Sequence, residues 1–146
     1  REVRAKERAL DLGGLDPVTA LRRLVAFTFE HHRANPDFIR LVMIENVHQG
    51  RYLERSEAIR EVNRGAIATL ADIVHRGRAT GVFRPDVDPL TLHWQISAMS
   101  FFNVSNRHTF GRSFGPDLCS ESGQTKLRDG VVATITAGVL LGDTSD

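Results

Sequence analysis

Residues 89–106 constrain the fold more than any other stretch of the chain. Leu92, Trp94, Ile96, Met99, Phe101, Phe102 and Val104 are spread around a helix, with small Ser97, Ala98 and Ser100 between them. No acidic residue follows Asp88, and no Lys or Arg comes before Arg107. A helix that is apolar on all sides has to be covered on all sides. The rest of the chain must therefore supply several packing partners, or a second molecule must.

Helical periodicity recurs along the sequence. Residues 1–12 read as a charged helix that stops at Gly13-Gly14, a pair suited to a helix end. Asp16 can cap a new helix with Pro17 in its first position. Leu21, Leu24, Val25, Phe27 and Phe29 then follow at helical spacing to about His32, on an arc wide enough for a mostly buried helix. Asn35-Pro36 breaks that helix and starts the next. Residues 36–48 are apolar nearly all round, the pattern of a central helix. Over 53–80, Ile59, Val62, Ala66, Ile67, Leu70, Ile73 and Val74 form a stripe with charges beside it. Asp88-Pro89 is a second Asp-Pro start. Residues 109–123, rich in Gly and Ser, read as a loop, and a last helix is expected over 124–141. No strand alternation or internal repeat is visible. The predicted fold is all-α, a bundle of about six helices with residues 1–12 as a connecting helix and 13–146 as one domain.

The two last helices raise a problem for a monomer. Both have apolar or small residues over more than one face; Gly130, Ala133, Ala137 and Gly138 line the second. Leaving them bare would expose a large apolar patch, which monomers rarely tolerate. A symmetric pairing in which two helices from each copy form a four-helix bundle covers it. The expected partner is a second copy of the chain.

Charge and cysteine content narrow the function. With 19 basic and 18 acidic residues the net charge is +1, too little for this segment to grip a phosphate backbone by itself. Cys119 stands alone, so neither an internal disulfide nor a Cys-rich zinc framework can form. No apolar run reaches membrane-spanning length and no signal peptide is visible, which makes a cytoplasmic location the expectation and membrane partners unexpected. The opening REVRAKER reads as a helix already under way, so the chain is expected to be cut from a longer protein.

Catalytic signatures are missing: there is no nucleophile elbow, phosphate loop, dinucleotide fingerprint or zinc-protease motif. Glu45-x-x-His48 matches one step of a di-iron carboxylate site, but no second step accompanies it. No catalytic residue, metal or cofactor is expected. Polar residues among apolar neighbours are more suggestive. Asn63 sits between Ile59 and Ile67, His31 follows Phe27 at i+4, Asn46 shares a face with Met43, and Ser100 and Asn103 follow Ile96 and Met99. Several such groups on converging helices would form an apolar cavity with a few polar anchors, as small-molecule sites do.

Spread patterns across residues 15–115 carry a resemblance: LDPVTALRRLV at 15–25, NPDFIRLVMIEN at 35–46, GRYL at 50–53, IREVN at 59–63, GVFRPDVDP at 81–89 and SFFNVSNRHTFG at 100–111. The sequence resembles the C-terminal, effector-binding and dimerisation domain of tetracycline-repressor (TetR) family transcription regulators, most closely the subgroup with the pyrimidine-responsive RutR-like regulators. The resemblance implies a homodimer in which an N-terminal helix-turn-helix domain reads a palindromic operator. A small effector in the C-terminal domain then changes the spacing of the two reading heads. Ligand and DNA would alter each other's affinity reciprocally. Operator DNA would be met only through that N-terminal domain, which is not in this segment; residues 1–12 would be its connecting helix.

Carried over by position, the effector pocket is expected at Phe27, His31, Met43, Asn46, Val47, Asn63, Ile67, Ile96, Met99, Ser100 and Asn103. Asn63, His31 and Asn103 would be polar anchors, and Phe27 and Ile67 apolar walls. Trp94, Ser97 and Phe101 lie roughly opposite Ile96 and Ser100 by the helical step of about 100°. One face would line the pocket and the other meet the partner; the sequence leaves open which. On the last helix, Leu127, Val131, Ile135, Gly138 and Val139 are expected at the dimer contact. Two other readings are a helical dimerisation module without a pocket, and a small metal-dependent helical enzyme.

Overall fold

A computed structural model describes residues 10–142 of the chain; residues 1–9, on which most of the expected connecting helix falls, residues 143–146, and the side chains of Ala58, Ile59 and Val62 lie outside the described set. The described residues form six α-helices: α1 (Pro17–Ala34), α2 (Pro36–Val47), α3 (Glu57–Ala79), α4 (Pro89–Ser105), α5 (Arg107–Phe114) and α6 (Glu121–Val139). Short 3₁₀ turns at Leu12–Gly14, Leu53–Arg55 and Asp117–Cys119 punctuate the connections.

Local chemistry sets the helix starts. The Asp16 carboxylate accepts the Thr19 N–H at 3.0 Å, and Pro17 takes the first turn of α1. Asp88 repeats the device on α4, accepting from Thr91 N–H at 2.8 Å and from the Thr91 hydroxyl at 2.8 Å. Ser120 caps α6 through the Gly123 N–H at 3.1 Å. Each cap satisfies a backbone donor that the helix itself leaves free.

Helix α1 is the centre of the bundle, packed most extensively against α4 and α6 and flanked by α3. Its Leu21, Leu24 and Val25 share one buried core with Leu70, Ile73 and Val74 of α3, Leu92 and Ile96 of α4, and Ile135 and Val139 of α6. Burying each such side chain stabilises the fold by about 1.5–3 kcal/mol. Charge ties the same layers together. Glu30 of α1 pairs with Arg128 of α6 at 3.3 Å, and Arg33 pairs with Glu121.

The connector between α3 and α4 is held at both ends. Phe83 is buried and lies over Gly77 of α3, where any larger residue would collide with the ring. A single antiparallel bridge joins Phe83 to Leu140, with Arg84 N–H donating to Val139 O at 2.9 Å and Leu141 N–H to Val82 O at 3.0 Å. The C-terminal end of α6 is therefore pinned to the middle of the chain.

Two expectations change. Residues 109–123 are not a loop throughout: α5 occupies 107–114, where Phe110 and Phe114, one turn apart, pack ring to ring at 4.7 Å. Gly115, at φ 94°, ends it, and α6 begins three residues earlier than expected, at Glu121. Helix α2 is not central. Only Ile39 is buried, whereas Phe38, Leu41, Ile44 and Val47 are exposed, because α1, α3, α4 and α6 already fill the core. As its all-round apolar sequence leads us to expect, α4 is covered only in part by its own chain. Leu92, Ile96, Ser100 and Val104 are buried, but Leu90, Trp94 and Phe102 are exposed.

Candidate functional site

A cavity of about 110 Å³ opens between α1, α4, α5 and α6. Phe29 of α1, Met99 of α4, and Leu127 and Val131 of α6 give it apolar walls, while Phe102, Arg107, Phe110 and Cys119 lie nearer the surface. Inside it, Asn103 and Gln124 form a reciprocal amide pair. Asn103 Nδ2 donates to Gln124 Oε1 at 2.8 Å, and Gln124 Nε2 donates to Asn103 Oδ1 at 3.0 Å. Gln124 Nε2 also donates to the Leu118 carbonyl at 2.8 Å, which fixes the 3₁₀ turn Asp117–Cys119 against α6. Gly123 permits that contact, since a Cβ there would stand 2.2 Å from the Asp117 carbonyl oxygen. Two amides that satisfy each other can be buried without the penalty of an unpaired polar group.

A second, wider cleft of about 410 Å³ lies between α2 and the junction of α4 with α5, bordered by Ile39, Arg40, Met43, Val104, Arg107 and His108.

The expected pocket residues do not converge on one cavity. Met99 and Asn103 line the first cavity and Met43 the second cleft. Phe27 and His31, both half-buried and lining neither cavity, stack along α1 with ring centroids 5.7 Å apart and an interplanar angle of 16°. Asn46 is exposed and its amide turns back to the Val42 carbonyl at 2.8 Å. Val47 is 78% exposed. Asn63 is exposed and Ile67 half-buried on α3. Ile96 belongs to the core. Ser100 is fully buried with an Oγ that has no hydrogen-bond partner among the described residues.

The residues expected to meet a partner also divide. Trp94 is 71% exposed; Ser97 and Phe101 are half-buried. On α6, Ile135 and Val139 are buried in the chain's own core, and Leu127 and Val131 line the cavity; Gly138 is exposed. The larger side chains of α6 fill the space over α1. What remains outside is a face of small residues, Gly130, Ala133 and Ala137, followed by Leu141. Leu90, Trp94 and Phe102 are exposed in turn on α4, a helix that packs against α6.

The remaining candidates have structural roles. Glu45, half of the Glu-x-x-His step, accepts the backbone N–H groups of Tyr52 at 2.8 Å and Leu53 at 2.9 Å, closing the turn after α2. His48 meets Tyr52 edge to face at 5.7 Å. Burial pulls the imidazoles of His32 and His93 below their ordinary range, with the neighbouring His31 and His93 adding repulsion at His32. His32 Nδ1–H donates to the Thr28 carbonyl at 2.8 Å, one turn back on α1.

Residues 17–135, from the first turn of α1 to the buried Ile135 near the end of α6, match the family model described as the tetracyclin repressor-like C-terminal domain. The chain belongs to that family. Among curated proteins, this tetracycline-repressor-like domain is 34% identical over 115 residues to the HTH-type transcriptional repressor NicS of Pseudomonas putida, a match that covers 79% of the chain and 54% of that protein. The chain thus spans about half the length of the curated relative it matches. Among solved structures it resembles the ketosteroid transcriptional regulator KstR2 of Mycobacterium tuberculosis, with a TM-score of 0.68 and 19% identity over 96% of this chain and 66% of that one. That likeness concerns the fold. The matched stretch contains all the walls of the first cavity, and both α4 and most of α6. Gln124, Phe29 and Leu118 were not legible as site residues: nothing in local spacing links Asn103 to an amide 21 positions away.

Proposed function

We propose that this domain is the effector-sensing and self-pairing part of a bacterial transcriptional repressor, non-enzymatic, with operator DNA contacted through another part of the regulator. The observation that carries the reading is the outward face of α4 and α6. Trp94 at 71%, Leu90 at 64% and Phe102 at 52% exposure are left bare on α4, and the small-residue stripe of Gly130, Ala133 and Ala137 is left bare on α6. Aromatic anchors beside small residues let helices from two copies approach closely and bury a continuous patch. A two-fold pairing also brings each face against its own equivalent, as a closed dimer requires. The cavity between the two helices puts a ligand next to the pairing surface, and a ligand that binds one arrangement better shifts the dimer toward it.

Light scattering over a wide dilution series tests the pairing. The expected mass is twice the 16.3 kDa of the chain at micromolar concentration. Ala137→Glu, which places a charge on the small-residue face without touching the core, is expected to give the monomer mass. A wild-type chain that stays monomeric at every concentration would refute the proposal.

A further inference from the structure

The two cavities differ in what they could hold, and their linings assign a ligand class to one of them. We infer that the cavity between α1, α4, α5 and α6 is the effector site, and that it takes a neutral, largely apolar molecule built on a single ring. The inference rests on the effector-sensing reading above, and it moves the site away from Phe27, His31, Asn63 and Ile67 to the seam between the two outward-facing helices.

Size comes first. A dry cavity of about 150 Å³ lined by aliphatic and aromatic side chains accommodates benzene. At about 110 Å³ the present cavity is of the same order, and its open side lets one ring sit partly in the mouth; two fused rings would have to stand largely in solvent. Shape and chemistry follow from the walls. Phe29 is 1% exposed and forms a buried floor, whereas Met99, half-buried on α4, has an unbranched side chain that adjusts to a flat guest. The interior polar groups set the charge. Both Gln124 N–H groups are already used, one on Asn103 Oδ1 and one on the Leu118 carbonyl. Asn103 keeps one N–H, and the two amide oxygens keep a lone pair each. This leaves one donor and two acceptor positions, all neutral, which suits one hydroxyl or carbonyl on the ring. An ionised group carried inside would lose its hydration without a buried counter-charge to replace it. Arg107, the one charged residue of the lining, is exposed at the mouth, where water solvates it with or without a ligand.

The chain provides its own reporter. It has two methionines: Met99 in this cavity, and Met43 on α2 in the other cleft. With methionine methyl groups labelled by carbon-13, p-cresol is titrated into the full chain and followed by NMR. The expected result is a saturable upfield shift of the Met99 methyl from the ring current, with Met43 unmoved. Benzoate, of similar size but ionised, is expected to bind at least tenfold more weakly. Val131→Phe, which fills the cavity, is expected to weaken p-cresol binding at least tenfold. If that variant does not fold, Leu127→Ala takes its place: the enlarged cavity should favour 1-naphthol over p-cresol, reversing the wild-type order.

A response at Met43 alone, or none at either methyl at millimolar p-cresol, would overturn the site. Benzoate binding as tightly as p-cresol would overturn the ligand class. Dimer mass and ligand site fail separately. A dimer whose Met99 is silent leaves the pairing standing without this site, and a monomer whose Met99 responds leaves the site standing without the pairing.

Discussion

Replacing Gly77 by alanine tests the packing that holds the C-terminal end of α6 in place. A Cβ at this position would lie 2.1 Å from Phe83 Cδ2 and 2.5 Å from Cε2 and Cγ, against 3.4–4 Å for ordinary contact. The ring would have to retreat by more than an ångström, yet Phe83 is 1% exposed and its own N–H is bonded to the Gly77 carbonyl at 3.0 Å. Overpacking of this kind costs about 3 kcal/mol, the upper end of the usual range. Alanine is the better helix former by about 1 kcal/mol, so the net loss is about 2 kcal/mol. With an unfolding entropy of roughly 2 cal/mol/K per residue, a chain of 146 residues loses about 6–7 °C in Tm for that change. Thermal unfolding by circular dichroism, at one fixed protein concentration so that pairing does not shift the result, measures it. Phe83→Leu in the Gly77→Ala background should recover part of the loss, giving a double mutant less damaged than the sum of the singles. If Gly77→Ala is as stable as the wild type, the packing of the connector is not as described.

The buried amide pair predicts non-additivity. Gln124→Leu leaves the Asn103 amide and the Leu118 carbonyl without their partner and should cost about 1–3 kcal/mol in urea unfolding, whereas Asn103→Leu with Gln124→Leu should cost less than the sum of the two single changes; additive losses would contradict the pairing. Burial lowers the His32 pKa, so the unfolded chain takes up the proton first as pH falls below the ordinary 6.5. Stability is then full above that value and lost progressively below it. His32→Asn, which keeps a donor for the Thr28 carbonyl, should flatten that slope, and an unchanged slope would place the titration elsewhere, with His93 next to be tested. Asp88 is held below the usual carboxylate range by the Thr91 N–H and hydroxyl, so its contribution is present above that range and disappears as pH falls through its lowered pKa. Asp88→Asn should keep the cap and remove this part of the acid sensitivity; an acid limb identical to the wild type would refute it.

Legibility in the sequence followed the range of the interactions. The two Asp-Pro starts could be read because the cap closes within three residues, Asp16 to Thr19 and Asp88 to Thr91. The all-helical class and the family were readable from patterns spread over the chain. Helix α2 shows where this ends: a segment apolar at almost every position carries no direction, so its pattern could not say which residues face water. Helix α5 depends on Phe110 meeting Phe114 and on the neighbouring turn, which outweighed its Gly and Ser content. On α6 the sequence showed two apolar faces. Which of them faced α1 was decided by volume: Ile135 and Val139 fill the core, and the glycine–alanine face does not. The cavity was illegible because its floor, walls and amides come from segments that meet only in three dimensions.

The position of α1 also has a consequence in time. Glu30 and its partner Arg128 are 98 residues apart, and an interval of at least that order separates the buried face of α1 from the helix that covers it. At a synthesis rate of about 5–20 residues per second, the nascent chain carries that face uncovered for roughly 5–20 s before α6 emerges. Early α1 can associate with α3 and α4 but not complete its shell. Expression at lower growth temperature, or with more trigger-type chaperone capacity, should therefore raise the yield of folded chain, more for variants truncated within α6 than for changes in α2.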